Sequence, residues 1–131
     1  MAFIEKAIML LKEEGLFSFI IPNTYLIGSY FDNLKKFILE KAKIIKIVDF
    51  GINQVFEDPN VFNSIIILQK MGFNIKREKN IFKFIDVPFI KNTNSLDIDN
   101  ISVVTDIPQI QLKDMAWKPK NNIIDKLNRQ K

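Results

Sequence analysis

The 131-residue sequence contains no cysteine and no histidine. The first absence removes disulfides, thiolate nucleophiles and Cys-type zinc sites. The second removes the commonest general base and metal ligand. Glycine is scarce as well: its four copies, Gly15, Gly28, Gly51 and Gly72, lie too far apart to build a glycine-rich phosphate loop. No apolar run approaches the ~18 residues that a membrane-spanning helix needs. The first residues also lack the basic, apolar and small-residue order of a secretory signal. A cytoplasmic chain with no membrane partner is the expectation. Asp97 and Asp99 have metal-loop spacing, but neither the turn glycine nor a distal glutamate follows, so no metal site is expected.

What is present is an apolar fraction of 47%, ample for one domain core, and a formal charge of +4. A lysine excess suits nucleic acid, because phosphate contacts release counterions. It equally suits a solvated lysine-rich surface, and composition leaves both open. Along the chain, residues 2–14 carry Phe3, Ile4, Ala7, Ile8, Leu10 and Leu11 on a helical stripe, with Gly15 expected as its left-handed stop. Residues 16–21 are apolar except for Ser18, the pattern of a strand buried on both faces and usually parallel. Pro22 ends that strand, and a helix to about residue 42 follows, with Lys35, Lys36, Lys41 and Lys43 on or near its polar side. "IIKIVDF" (44–50) reads as a second buried strand. "SIIILQK" (64–70) reads as a third, antiparallel to a neighbour because no helix precedes it. "NIFKFIDVPF" (80–89) alternates like a half-exposed edge strand, "ISVVT" is a short candidate strand, and residues 121–131 suggest a terminal helix. This rhythm predicts an α/β fold, a partial doubly wound, Rossmann-like sheet with a C-terminal antiparallel strand and an irregular tail.

"FIEKAIMLLKEEGLFSFIIPNTYL" followed by "IIKIVDFGINQVFEDPNVFNSIIILQK" resembles the second half of the catalytic domain of adenine-specific DNA methyltransferases, a class I methyltransferase fold. The resemblance is strongest to TaqI-like enzymes and the fused Type IIG restriction–modification proteins, and it covers residues 3–70. "IPQIQLKDMAWKP" (107–119) resembles the linker that leads to their target-recognition domain. The implied organisation is residues 1–90 as the C-terminal half of a catalytic domain and residues 91–131 as linker and start of a recognition region. The family's glycine loop and Asn-Pro-Pro-Tyr tetrapeptide do not occur in the sequence. "EDPNVF" (57–62) is only superficially similar to the tetrapeptide, since it lacks the second proline. The expectation is therefore a fragment, inactive alone and needing no cofactor by itself, whose full-length parent uses S-adenosylmethionine.

The resemblance implies double-stranded DNA as a partner, together with the missing N-terminal half or another subunit. It assigns Phe56 to stacking on a flipped adenine; the residue-level alternative is a plug beneath the loop. Phe3 would lie in the cofactor pocket, the alternative being a core residue of an amphipathic helix. Pro22 and Asn23 sit at a strand's carboxyl end, where open α/β sheets place ligands, although Asn23 also suits a helix cap. Lys35 and Lys36 would touch DNA phosphates or simply face solvent. Trp117 would anchor the linker to a neighbouring domain or mark an exposed patch. Half a sheet leaves a strand edge unpaired, so a homo-oligomer is also expected. A non-catalytic basic module that binds DNA or a subunit is the alternative function.

Overall fold

A computed structural model describes residues 2–27, 31–53, 55, 61–71, 79–89, 102–112 and 117–119. The described elements are α1 (Ala2–Leu10), β1 (Leu16–Pro22), a 3-10 turn (Asn23–Leu26), α2 (Asp32–Lys41), β2 (Ala42–Asp49), β3 (Asn63–Lys70), β4 (Ile81–Asp86), β5 (Val103–Pro108) and a second 3-10 turn (Gln109–Gln111). The strands form one five-stranded sheet in the order β1-β3-β2-β4-β5. β3 runs antiparallel to both β1 and β2, β2 and β4 are parallel, and β5 is antiparallel to β4. Hence β1, β2 and β4 all point their carboxyl ends at the same edge.

The expected α/β class and the antiparallel third strand are present, but the sheet is mostly antiparallel rather than doubly wound and parallel. β1 is not a strand covered on both faces. It forms one edge of the described sheet and leaves Leu16, Phe19 and Ile20 exposed. Its apolar run reads like a central strand because residues of both faces are hydrophobic. β4 alternates as expected, with Phe82 and Phe84 buried against exposed Ile81 and Lys83. It is internal, however, because β5 pairs along it. That pairing carries the sheet past residue 90. The terminal stretch 121–131 lies outside the described residues.

One core joins Ile4 and Ile8 of α1, Leu34 and Ile38 of α2, Ile44 and Ile47 of β2, Ile66 and Leu68 of β3, and Phe82 and Phe84 of β4. α1 stops early because Lys70 Nζ donates to the Leu11 carbonyl at 2.7 Å and the Met9 carbonyl at 3.1 Å, satisfying acceptors at the helix end. The left-handed residue of the turn that follows is Glu14 (φ 66°), not Gly15. Gly15 is required for another reason: a Cβ there would lie 2.9 Å from the Lys12 carbonyl oxygen.

The start of β2 lacks a strand on its β4 side, since that pairing begins only at Lys46 with Lys83. Two buried amides fill the gap. Gln109 Oε1 accepts the Ile44 N–H at 2.9 Å, and Gln109 Nε2 donates to the Ala42 carbonyl at 3.0 Å. Asn80 Nδ2 donates to the Ile44 carbonyl and to Gln109 Oε1, both at 2.8 Å. Buried backbone groups must be paired, and these side chains act as a substitute strand. Gln109→Leu strands the Ile44 N–H and the Ala42 carbonyl together. We expect a loss of about 3 kcal/mol in urea denaturation from two or three unmade bonds. A loss no larger than that of an exposed substitution would contradict this role.

Candidate functional site

The site edge follows from the register. Pro22 is opposite Asn63, Asp49 opposite both Ser64 and Asp86, and Asp86 opposite Val103. A single row of strand ends thus carries two carboxylates, an asparagine and the turn after β2. Ligands of open α/β sheets bind beyond such carboxyl ends.

Asp49 is the centre of this row. It is 2% exposed, and both its oxygens are partnered. Oδ1 accepts Asn23 Nδ2 at 2.9 Å and the Gly51 N–H at 2.9 Å. Oδ2 pairs with Lys118 Nζ at 2.8 Å. Asn23 Nδ2 also donates to the Gly51 carbonyl at 3.1 Å, so one side chain grips both the carboxylate and the turn. Gly51 sits at φ +59°, a left-handed conformation that glycine adopts without a Cβ penalty. Asn53 Nδ2 continues the turn by donating to the carbonyls of Phe50 at 2.8 Å and Pro88 at 2.9 Å.

Lys118 reaches Asp86 as well, at 3.6 Å. Burial pulls the Lys118 ammonium down, but the bond to Asp49 and the charges of Asp49 and Asp86 outweigh it and hold it above the ordinary lysine value. Burial pushes the Asp86 carboxyl up; Lys118 opposes that rise and Asp49 adds to it. Beneath the row, the Tyr25 hydroxyl lies 3.0 Å from Ser64 Oγ, which donates to the Ile21 carbonyl at 3.2 Å. Burial raises the Tyr25 phenol well above its usual range. Trp117 packs edge-on against Tyr25 with ring centroids 6.1 Å apart. An open cleft of about 470 Å³ adjoins the row, with Asp86 and Lys118 on a wall otherwise formed by apolar residues such as Ile27, Ile52, Val87 and Phe89.

The structure treats the residues singled out in the sequence differently. Asn23 is in the row, but it is not a side-chain helix cap: Pro22 occupies that position, and no side chain caps the turn. Pro22 is exposed at the end of β1. Phe3 lies on α1, half-exposed, with its ring 4.7 Å from that of Phe19. Lys36 is exposed on α2, whereas Lys35 is 4% exposed, and burial lowers its ammonium against the pull of Asp32. Phe56 lies outside the described residues. Trp117 is buried in the same core as the sheet rather than forming an exposed patch. Sequence reasoning missed Asp49 and Lys118. Asp49 lies in the apolar run of a buried strand, and nothing in the sequence pairs it with residue 118. Among the described residues no cluster of potential metal ligands occurs, and no helix is long and apolar enough to cross a membrane.

Residues 1–56 match the family model of the Eco57I restriction-modification methylase. The type II restriction enzyme and methyltransferase RM.Eco57I of Escherichia coli is 32% identical over 68 residues, a match that spans 52% of this chain and 7% of that protein. Both matches are to restriction–modification methyltransferases, and they support reading this chain as a fragment of one. A solved chain from work on the assembly and conformational transition of the type I restriction–modification system superposes with a TM-score of 0.62. It does so at 11% identity, covering 98% of this chain and 36% of its own length. At that identity the likeness is one of fold. The chain therefore corresponds to a small share of its relatives' length.

Removing the Asp49 carboxylate should leave Lys118 and the Asn23 amide without their shared acceptor. Asp49→Ala is expected to cost about 3–5 kcal/mol in denaturant titration, the scale for breaking one side of a buried ion pair. Asp49→Asn should recover only part of this, because its amide N–H₂ must face another donor. A second outcome concerns pH. The raised Lys118 and Tyr25 values mean that the fold binds those protons more tightly than the unfolded chain. Their stabilisation is complete below the ordinary values of 10.5 and 10.0 and is lost as pH rises through the folded values. Lys118→Met should therefore be less stable at neutral pH yet decline less steeply above pH 10.5, with Tyr25→Phe as the control that removes the phenol's share. An unchanged alkaline slope in Lys118→Met would show that this ammonium does not titrate with the fold.

Proposed function

We propose that this chain supplies one wall of the catalytic domain of a DNA adenine methyltransferase of a restriction–modification system, acting in the cytoplasm on double-stranded DNA. The observation that carries the proposal is that the family match covers α1, β1 and β2. The ends of β1 and β2, at Asn23 and Asp49, meet at the one edge where such sheets hold ligands. S-adenosylmethionine would supply the methyl group, and the glycine loop and amine-binding tetrapeptide would come from another part of the protein or another subunit.

The residues fit that division of labour. The half-exposed ring of Phe3 beside Phe19 offers an aromatic wall for the cofactor's adenine. By the sequence resemblance Phe56 is assigned to stacking on the extrahelical base. The described residues that flank it, Gly51 and Asn63, lie at the site edge, which is compatible with that role. Pro22 and Asn23, at the end of β1, are assigned to the cofactor pocket, and exposed Lys36 to a DNA phosphate. Lys35, being buried, contributes less to such a contact than its sequence position suggests. Catalysis of this kind needs no covalent intermediate; it rests on aligning the amine with the methyl group and holding the base still. The outer edge of β1 and its exposed Leu16, Phe19 and Ile20 suit a further strand, either from the remaining half or from a second copy of the chain.

A chimera in which this chain replaces the matching region of RM.Eco57I tests the proposal. It should transfer labelled methyl groups to adenine in DNA, and a folded chimera that binds cofactor but methylates nothing would refute it. In that chimera, Phe56→Ala should lower transfer efficiency about five- to a hundredfold, the ~1–3 kcal/mol of one stacked base, with cofactor affinity nearly unchanged. Phe56→Trp should keep most of the rate, since a π-face is what stacking requires. Equal loss in both variants, accompanied by a lower melting temperature, would assign Phe56 to the core. Sedimentation of the chain alone should reveal self-association that grows with concentration.

A further inference from the structure

The C-terminal segment 117–119 is fixed to the site edge by bonds that a free tail would not make. The backbone N–H groups of Trp117 and Lys118 both donate to the Leu26 carbonyl at 3.0 Å. The Trp117 ring is buried against Tyr25. Lys118 then places its ammonium on the buried Asp49 carboxylate, whose other oxygen holds the Gly51 N–H and the Asn23 amide. The path from the C-terminal segment to the turn after β2 is thus two contacts long, and each is charge-assisted. Such bonds are shorter and stronger than neutral ones and fix geometry as well as adding energy.

We propose that Lys118 is a positioning residue for the turn at Gly51, and that it couples residues 117–119 to the site edge. The reasoning is electrostatic. With Lys118 in place, Asp49 is a compensated carboxylate that accepts from both the turn and Asn23. Without it, a carboxylate with almost no solvent contact must attract water or another donor, and either alters the oxygen on which the Gly51 N–H depends. Asp86, already paired only loosely with Lys118 at 3.6 Å, would then face Asp49 across the β2–β4 pair with no cation between them. The functional consequence rests on the methyltransferase proposal above: the turn held by Asp49 is the base of the segment that carries Phe56.

Amide hydrogen exchange of the purified 131-residue chain, followed by NMR, tests the coupling without any assumption about activity. Lys118→Met should accelerate exchange of the Gly51 amide about ten- to a hundredfold, because the Asp49 carboxylate that accepts this N–H loses its countercharge and is no longer held in place. Amides in the middle of β2 and β3, such as Ile47 and Ile66, should keep their protection. Lys118→Arg should restore Gly51 protection, because the guanidinium can still reach Asp49. An unchanged Gly51 rate in Lys118→Met, or a uniform acceleration that Arg does not reverse, would overturn the coupling. In the chimera, Lys118→Met and Phe56→Ala should be non-additive in transfer efficiency, and strict additivity would overturn the positioning role. A chimera that is inactive before any substitution would refute the methyltransferase assignment instead, and the exchange result would then decide the coupling alone.

Discussion

A carboxylate with 2% exposure is the constraint on which the site edge depends. Removing Asp49 from water is unfavourable unless a countercharge and enough donors replace its hydration. The fold meets this need with groups from three separate parts of the chain: Asn23 after β1, the Gly51 N–H just after β2, and Lys118 near the described C-terminus. Because those groups must converge on one carboxylate, the loops that carry them are held in fixed positions relative to one another. The charge that is costly to bury is what gives the edge a defined shape.

The strand directions make that convergence geometrically available. β3 lies between β1 and β2 and is antiparallel to both, so two strands that are not neighbours still end side by side. The parallel β4 adds Asp86 directly opposite Asp49. Two carboxylates in register would repel each other. Lys118 lies within reach of both, and their charges raise its affinity for a proton; burial, with Asp49 adding to it, raises the Asp86 carboxyl against the opposing pull of Lys118. The same register that gathers functional groups therefore also creates the electrostatic problem that Lys118 relieves.

Local features of this fold were legible in the sequence where local physics decides them. The stripe Ile4–Ile8 locates α1, the runs 44–50 and 64–70 locate β2 and β3, and the alternation at Phe82 and Phe84 gives the correct buried face. What the sequence misplaced were features set by a distant partner, although the antiparallel direction of β3 was expected correctly. Leu16–Pro22 reads as a central strand but is an edge of the described sheet, because hydrophobicity reports burial potential and not which neighbour is present. β4 reads as an edge but is interior, because its partner arrives some twenty residues later from a polar stretch. Lys35 sits on a helix whose polar side seemed to include it, yet the face turned toward the core contains it. Of the site, Asn23 was legible through its place after a strand, although its cap role was not the one it performs. Asp49 and Lys118 were not legible as a pair, since no local pattern joins residues 69 positions apart.

The two ends of β2 show how much of the fold comes from the part of the chain that looked least structured. At its start, Gln109 and Asn80 replace a strand that does not reach Ala42 and Ile44. At its end, Lys118 neutralises Asp49. β2 is the middle strand of the sheet; β5 extends that sheet, and Gln109 and Lys118 partner the middle strand's polar groups at its two ends. Polar side chains in such a segment give no hydrophobic signal, so a sequence reading assigns them to a linker. Their hydrogen-bonding capacity is nevertheless what central strands lack wherever neighbouring strands stop short. A polar stretch that follows an incomplete sheet can therefore belong to that sheet, and here it does so through one amide, one ammonium and one buried tryptophan.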